Sequence, residues 1–251
     1  MNILRLLSLI AVTGLLAACK GTQGAPTLQP TLYNITEKTG ETLPVSDNAR
    51  AVADLLAPYK AQLDAKMNRQ LAVVKTPMLK ASPEGALGNW MADIMVQAAR
   101  DLNPGKEIAF AATNPGGLRL QEIGAGPLLV SEVYELMPFD NKLVVLDLSG
   151  AEVREFIAHM TNSGGWPVSA DLSADVTSGK LVATINGQPL DDNARYLVAT
   201  IDYVANGGSR ASMLKGKPMM DSNRFLRDIL VEYAEKTPEI EVKVEGKRMR
   251  L

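Results

Sequence analysis

The chain has 251 residues, 46% of them hydrophobic and 22% charged, with a formal net charge of -2 and an isoelectric point near 5.6. That balance excludes a disordered, collagenous or multi-span membrane protein. It also leaves no basic excess of the kind that binding to a DNA or RNA backbone imprints, so a nucleic acid polymer is not an expected partner and any anionic ligand must be held by a few placed cations or backbone amides.

Residues 1–18 read as a lipoprotein signal peptide: Arg5 precedes the apolar run Leu6 to Leu16, too short to span a bilayer comfortably, and Leu16-Ala17-Ala18-Cys19 ends in the small residues of a lipobox. Acylation of Cys19 would anchor the chain to the membrane, each buried methylene contributing ~0.8 kcal/mol. The expected location is the bacterial cell envelope on the periplasmic side, the outer membrane rather than the inner, because Lys20 and not aspartate follows the cysteine. Cys19 is the only cysteine, which excludes a disulfide framework and a CxxC metal site. Residues 19–46, rich in Thr, Gly and Pro and without an apolar period, read as a tether, which leaves 47–251 as the folded domain.

Val52, Leu55, Leu56, Tyr59, Leu63, Met67 and Leu71 follow a helical period and predict a long amphipathic helix with a kink near Pro58. A second helix starts near Leu87, after the turn Ser82-Pro83-Glu84-Gly85, and is followed by a short apolar strand, Ile108 to Ala111, and a glycine loop, Thr113 to Arg119. Pro127 to Met137 holds a short helical turn, and Lys142 to Leu148 is a strand. Ser149 and Glu152 form a capping box for a helix that buries Val153, Phe156, Ile157 and Met160. A hairpin is expected from Leu181 to Ile185, the turn Asn186-Gly187 and the later strand Tyr196 to Ile201, which runs into the loop Asp202 to Ser209. A last helix carries Phe225, Leu226, Ile229, Leu230 and Tyr233, and a charged strand, Ile240 to Val244, closes the chain. Interleaving of this kind predicts an α+β fold, a single domain of mixed β-sheet covered by helices.

Hydrolytic residue sets are missing. The only histidine, His159, sits among Ile157 and Met160 at a helix end and reads as a packing residue rather than a base or ligand. There is no GxSxG elbow, HExxH, Walker A loop or GxGxxG after a strand, and the clusters Asp171 to Asp175 and Asp191-Asp192 read as solvated turns rather than a calcium loop. A two-metal phosphatase site needs several His and carboxylate ligands, so no metal or other cofactor is expected on this chain.

Three loops carry recognition chemistry instead. Asn114-Pro115-Gly116-Gly117-Leu118-Arg119 sets two glycines between an amide and an arginine: glycines let a ligand approach the backbone, and a guanidinium can grip a phosphate with paired hydrogen bonds. Pro138-Phe139-Asp140-Asn141 and Asp202-Tyr203 each put an aromatic ring beside a strand end, where two rings could stack on opposite faces of a base.

With the flanking segments these loops resemble the C-terminal domain of the 5'-nucleotidase family. Glu84 to Asp93 is similar to its E-x-x-x-G-N-L-x-x-D helix start and Thr113 to Arg119 to its N-x-G-G-I-R loop. Gly126-Pro127 through Phe139 and Asn141 to Leu148-Ser149-Gly150 is similar to G-P…P-F-x-N…L-T-G, and Asn186-Gly187 through Tyr196 to Thr200 and Tyr203 to Gly208 to N-G…Y-x-V-A-T…Y-L-A-N-G-G. Arg227-Asp228 with Tyr233 resembles its last helix. The resemblance implies a substrate-binding domain for a nucleoside monophosphate or nucleoside, with Asn114 and Arg119 near the phosphate, the glycines Gly116 and Gly117 in the same loop, Phe139 and Tyr203 sandwiching the base and Asn141 at its edge. In that family the divalent metals and the catalytic His-Asp pair belong to another domain, here expected on a separate metallophosphoesterase chain. The sequence departs from the family at Ala81, where an arginine is usual, and at Ser209, in place of the aspartate that binds the ribose, so a thinner phosphate and ribose grip is expected. A nucleotide or nucleoside capture protein without a phosphatase partner, or a structural envelope lipoprotein, are the alternative readings.

Overall fold

The computed structural model describes residues 46–251; the leader, Cys19 and the tether up to residue 45 lie outside the described residues. The chain divides into two compact units, 1–55 and 56–251. Of the first, the described residues are helical from Asp47, where α1 (Asp47–Met67) begins. α1 carries the expected Pro58, but Leu56, Tyr59 and Leu63 are exposed. Apolar periodicity reports that a helix has an apolar side and not that the fold covers it. Nor does the helix reach Leu71, which is buried in a strand, β1 (Gln70–Val74).

The remaining elements are β2 (Met78–Leu79), α2 (Ala86–Leu102), β3 (Ile108–Ala111), β4 (Glu122–Ile123), β5 (Gly126–Leu129), α3 (Val130–Leu136), β6 (Lys142–Ser149), α4 (Gly150–Asn162), β7 (Leu172–Asp175), β8 (Val182–Ile185), β9 (Gln188–Pro189), β10 (Arg195–Ile201), α5 (Asp202–Ala205), β11 (Met219–Phe225), α6 (Leu226–Glu235), β12 (Glu239–Ile240) and β13 (Met249–Arg250). The central sheet has the order β11-β6-β10-β3, with β6 antiparallel to both neighbours and β10 parallel to β3. Successive strand residues point to opposite faces, so a strand buried at consecutive positions is covered on both. Leu143 to Leu146, Val198 to Ile201 and all of β3 are buried in this way, with α2 packed on β3, β6 and β10, and α4 on β6 and β10. Smaller sheets, β12-β1-β5, β13-β7-β8-β9 and β2-β4, surround the central one.

Four further sequence expectations change. The turn Asn186-Gly187 does join a hairpin, but β8 pairs with β9, whereas the strand from Tyr196 onward joins the central sheet between β3 and β6. The Asp171 to Asp175 segment is largely strand, β7, paired with both β8 and β13. The charged strand expected from Ile240 to Val244 is reduced to β12 (Glu239–Ile240), alongside β1, and the strand that follows it is β13, paired with β7; Phe225 ends β11 rather than lying within α6.

The family-like helix start serves the fold. Glu84 accepts from Asn89 Nδ2 at 3.0 Å and from the Arg248 backbone amide at 3.1 Å. Arg248 meets the Asp93 carboxylate with two parallel bonds of 2.7 and 2.8 Å and donates to the Val168 carbonyl at 2.8 Å. The segment entering β13 is thus latched to α2.

The capping box of α4 forms as its sequence implies: Ser149 Oγ accepts from the Glu152 amide at 3.3 Å and Glu152 accepts from the Ser149 amide at 2.7 Å. Lys217 Nζ donates to the same carboxylate at 2.5 Å. Lys217 first and the Ser149 amide second hold the Glu152 carboxyl at about 2, against an ordinary 4.5. A depressed carboxylate contributes stability that is fully present above its unfolded value and lost as pH falls through its folded one. Glu152→Gln keeps the capping acceptor and removes the charge. We expect it to cost about 1 kcal/mol near neutral pH, a figure discounted for partial solvent exposure. The difference from the native chain should shrink between pH 4.5 and about 2, as calorimetric unfolding across that range would measure.

Candidate functional site

Strand register explains why distant loops meet. β10 and β3 are parallel, with Ala199 opposite Ala111, so Asn114 and Tyr203 both follow the carboxyl ends of their strands. β6 runs the other way, with Leu143 opposite Ile201, so the loop that precedes it, Pro138 to Asn141, lies at the same edge. The carboxyl edge of parallel strands is where open α/β sheets commonly form their ligand crevices. Asp202 ties two of these loops together, its Oδ1 accepting from the amides of Lys142 at 3.1 Å and Tyr203 at 2.8 Å.

Asn114, Gly116, Gly117, Phe139, Asn141 and Tyr203 line one cavity of about 340 Å3 together with Ser209. Asn114 is 6% exposed, and its buried Oδ1 has no partner among the described residues. An amide held out of water with a free acceptor is costly unless a ligand or water completes it. The next residues form a 3-10 turn, Pro115–Gly117, closed by the Gly117 amide on the Asn114 carbonyl at 3.0 Å. A methyl on Gly116 would lie 3.1 Å from Asn114 Nδ2, so the glycine lets the turn fold close over that amide. Phe139, in the loop before β6, and Tyr203, in α5 just after β10, are 40% and 50% exposed, although the adjoining ends of those strands are buried. Two large rings left open together at the mouth of one cavity form the kind of exposed apolar feature that marks a binding site.

Arg119 stands beside the cavity rather than in its lining, with its guanidinium carbon 6.0 Å from the centre of the Phe139 ring. Lys80, the cation nearest to Ala81 in sequence, does not replace the arginine of the resembling motif. Its Nζ donates to the Leu118 carbonyl at 2.8 Å, and with Ala81, Pro83, Pro115 and Trp166 it lines a separate hollow of about 230 Å3. A larger groove of about 790 Å3 beside β7 and β8 carries no aromatic side chain. Three of its four cations, Lys247, Arg248 and Arg250, already pair with Glu245, Asp93 and Asp175, which leaves Lys243 and no ring to stack on a base, so it is a less suitable recognition site.

Arg227 sets the Phe139 loop. Its side chain is 14% exposed, donates to Asp140 Oδ1 at 2.9 Å and lies over the Tyr134 ring at 4.6 Å, while the neighbouring Leu226 amide donates to the Asn141 carbonyl at 2.8 Å. Sequence reasoning placed Arg227 on the last helix and missed this contact, because nothing local marks an arginine as the support of a loop that lies 87 residues earlier.

The site thus defines the class: an α+β binding domain with two open rings and an unpartnered amide at the carboxyl edge of a mixed sheet. The comparisons agree. Residues 69–216 match the family described as 5'-nucleotidase, C-terminal domain, and the chain belongs to that family. It is similar to the UshA protein of Yersinia enterocolitica, 34% identical over 51% of this chain and 24% of that one. A 5'-nucleotidase of Vibrio vulnificus is 27% identical over 76% of this chain and 35% of its own length. Among solved structures, a 5'-nucleotidase precursor from Thermus thermophilus superposes with a TM-score of 0.66 at 26% identity, over 80% of this chain and 43% of that one. The chain therefore spans about a quarter of the UshA protein that it matches.

Proposed function

We propose that this domain binds a nucleoside monophosphate or nucleoside, the base entering between Phe139 and Tyr203, Asn141 reaching its edge, and Asn114 with Arg119 facing the phosphate. The observation that carries this reading is the pair of exposed rings on one cavity with the unpartnered Asn114 amide. The family of the chain supports the ligand class, and a 5'-nucleotidase among its relatives supports phosphomonoester chemistry. Among the described residues no group of three or more His, Cys, Asp or Glu is placed to hold a metal ion. These residues do not fit the two-metal centre that the family resemblance implies, and no hydrolytic step is assigned to them. In this reading a separate metallophosphoesterase chain brings the metals and the domain contributes substrate positioning, which lowers the barrier only once a reacting partner is present. Lipid on Cys19 would tether the pair to the bacterial envelope.

Titration calorimetry on the purified chain tests the reading. AMP is expected to bind more tightly than adenosine, and Arg119→Ala to remove that difference, about 1 to 2 kcal/mol for a charge-assisted contact in partly open surroundings. Adenosine affinity should stay the same within a factor of about two. The chain with added divalent metal should release no phosphate from AMP; turnover by the clean protein would refute the division of labour, and absence of heat with either ligand would refute nucleotide binding.

A further inference from the structure

His159 is the only histidine of the chain. It does not line the cavity, yet it reaches the loop that forms one of its walls. It lies in the last turn of α4, half-buried, with Nε2 3.0 Å from the Ser209 carbonyl oxygen. A carbonyl has no proton to offer, so Nε2 is the donor. The imidazole also meets the Trp166 ring edge to face, with centroids 5.3 Å apart, and Trp166 is 3% exposed and packs edge-on against the buried Phe156. The histidine is therefore held on one side and holds on the other.

The turn that it holds has an uncommon backbone. Gly207, Ser209 and Arg210 all have positive φ, at 90°, 50° and 63°. Glycine adopts such angles freely, but in Ser209 and Arg210 the Cβ crowds the following carbonyl. Two such residues in succession persist only where neighbours over-determine the conformation. One of those neighbours is Tyr203, whose hydroxyl accepts from the Ser209 amide at 3.2 Å. The turn also lies flat on the same ring: a methyl added at Gly208 would come 2.5 Å from Tyr203 Cε1. The Ala211 amide closes it on the Gly208 carbonyl at 3.0 Å. The Gly207 amide ties the start of the turn to the Val204 carbonyl of α5 at 2.9 Å, and among the described residues the bond from His159 is the one that joins the turn to α4.

We propose that His159 is a positioning residue for Tyr203. By donating to the Ser209 carbonyl it keeps the 207–210 turn in its left-handed form, and that turn fixes the Tyr203 ring in the orientation it presents to the cavity. The ligand in this inference rests on the nucleotide reading; the geometry does not. A residue that serves only as packing against Trp166 could be replaced by an apolar side chain of similar size, whereas a donor could not.

The test compares the native chain with His159→Leu and His159→Gln, reading amide hydrogen exchange at Ser209 without ligand and affinity for adenosine by calorimetry. The leucine variant is expected to exchange about tenfold faster at Ser209 and to bind adenosine about tenfold more weakly, the scale of one lost hydrogen bond, with its thermal midpoint close to native. The glutamine amide can donate to the same carbonyl and should recover most of both losses. Native exchange at Ser209 in the leucine variant would overturn the proposal, as would a glutamine variant as impaired as the leucine one. Should native protein not bind adenosine while Ser209 exchange still responds, the nucleotide reading fails and the positioning role stands.

Discussion

Replacing Phe139 or Tyr203 by alanine is expected to weaken adenosine binding by ~1 to 3 kcal/mol each, the range for losing one aromatic platform under a base. The rings are 40% and 50% exposed, so truncation leaves no cavity in the core and removes little burial from the folded state. The loss should appear in affinity and leave the thermal midpoint almost unmoved. Phe139→Leu separates stacking from simple apolar cover: leucine fills similar space without a planar face, and most of the loss should persist. At Tyr203 the informative comparison is phenylalanine, which retains the ring and gives up the hydroxyl that accepts from the Ser209 amide at 3.2 Å. That variant should bind nearly as well as the native chain if the ring recognises the base, with a modest deficit from a looser turn. Equal affinity of both alanine variants and the native protein would remove the sandwich from consideration.

Arg248→Ala is expected to have the largest effect on stability, about 2 to 4 kcal/mol, or a fall of roughly 4 to 16 °C in thermal midpoint for a domain of this size. The side chain is 13% exposed and makes two bonds to the Asp93 carboxylate and one to the Val168 carbonyl. Its removal leaves that carboxylate with the Ala170 amide as its remaining described partner, at 3.0 Å. Asp93 is 41% exposed, so water recovers part of the loss, which places the estimate below that for a fully buried pair. Asp93→Asn is the control. It retains a neutral oxygen for the Ala170 amide and should cost less. Thermal unfolding of the two single variants and the double variant measures the coupling, and additive losses would show that the latch is not a paired interaction.

The parts of the fold visible in the sequence were those written in short-range patterns. The capping box of α4 lies within four consecutive residues, Ser149 to Glu152, and forms as expected. β3 and β6 announce themselves by apolar runs and are buried along most of their length. β11 gives no such sign. Its sequence, Met219 to Phe225, is largely polar, because it borders the sheet and alternates exposed with half-buried positions. β7 reads as a turn in sequence because Asp171 precedes it and Asp175 ends it, and only pairing on both sides makes it a strand.

The candidate site residues divide in the same way. The glycine turn after β3 and the two aromatic segments are local choices of residue type, so the sequence by itself determined which side chains are candidates for the site. It also determined the family, since the motifs occur in order along the chain. Tertiary structure alone decided that Asn114, Phe139, Asn141 and Tyr203 share one cavity, because the direction of β6 relative to β3 and β10 is set by pairing between segments far apart in the chain. It also decided the supporting contacts: His159 with Ser209, 50 residues apart, Arg227 with Asp140, 87 apart, and Arg248 with Asp93, 155 apart. A histidine at a helix end or an arginine near a terminus looks the same in sequence whether it faces water or a strained turn. Which it does depends on packing at long range, and no local propensity encodes that.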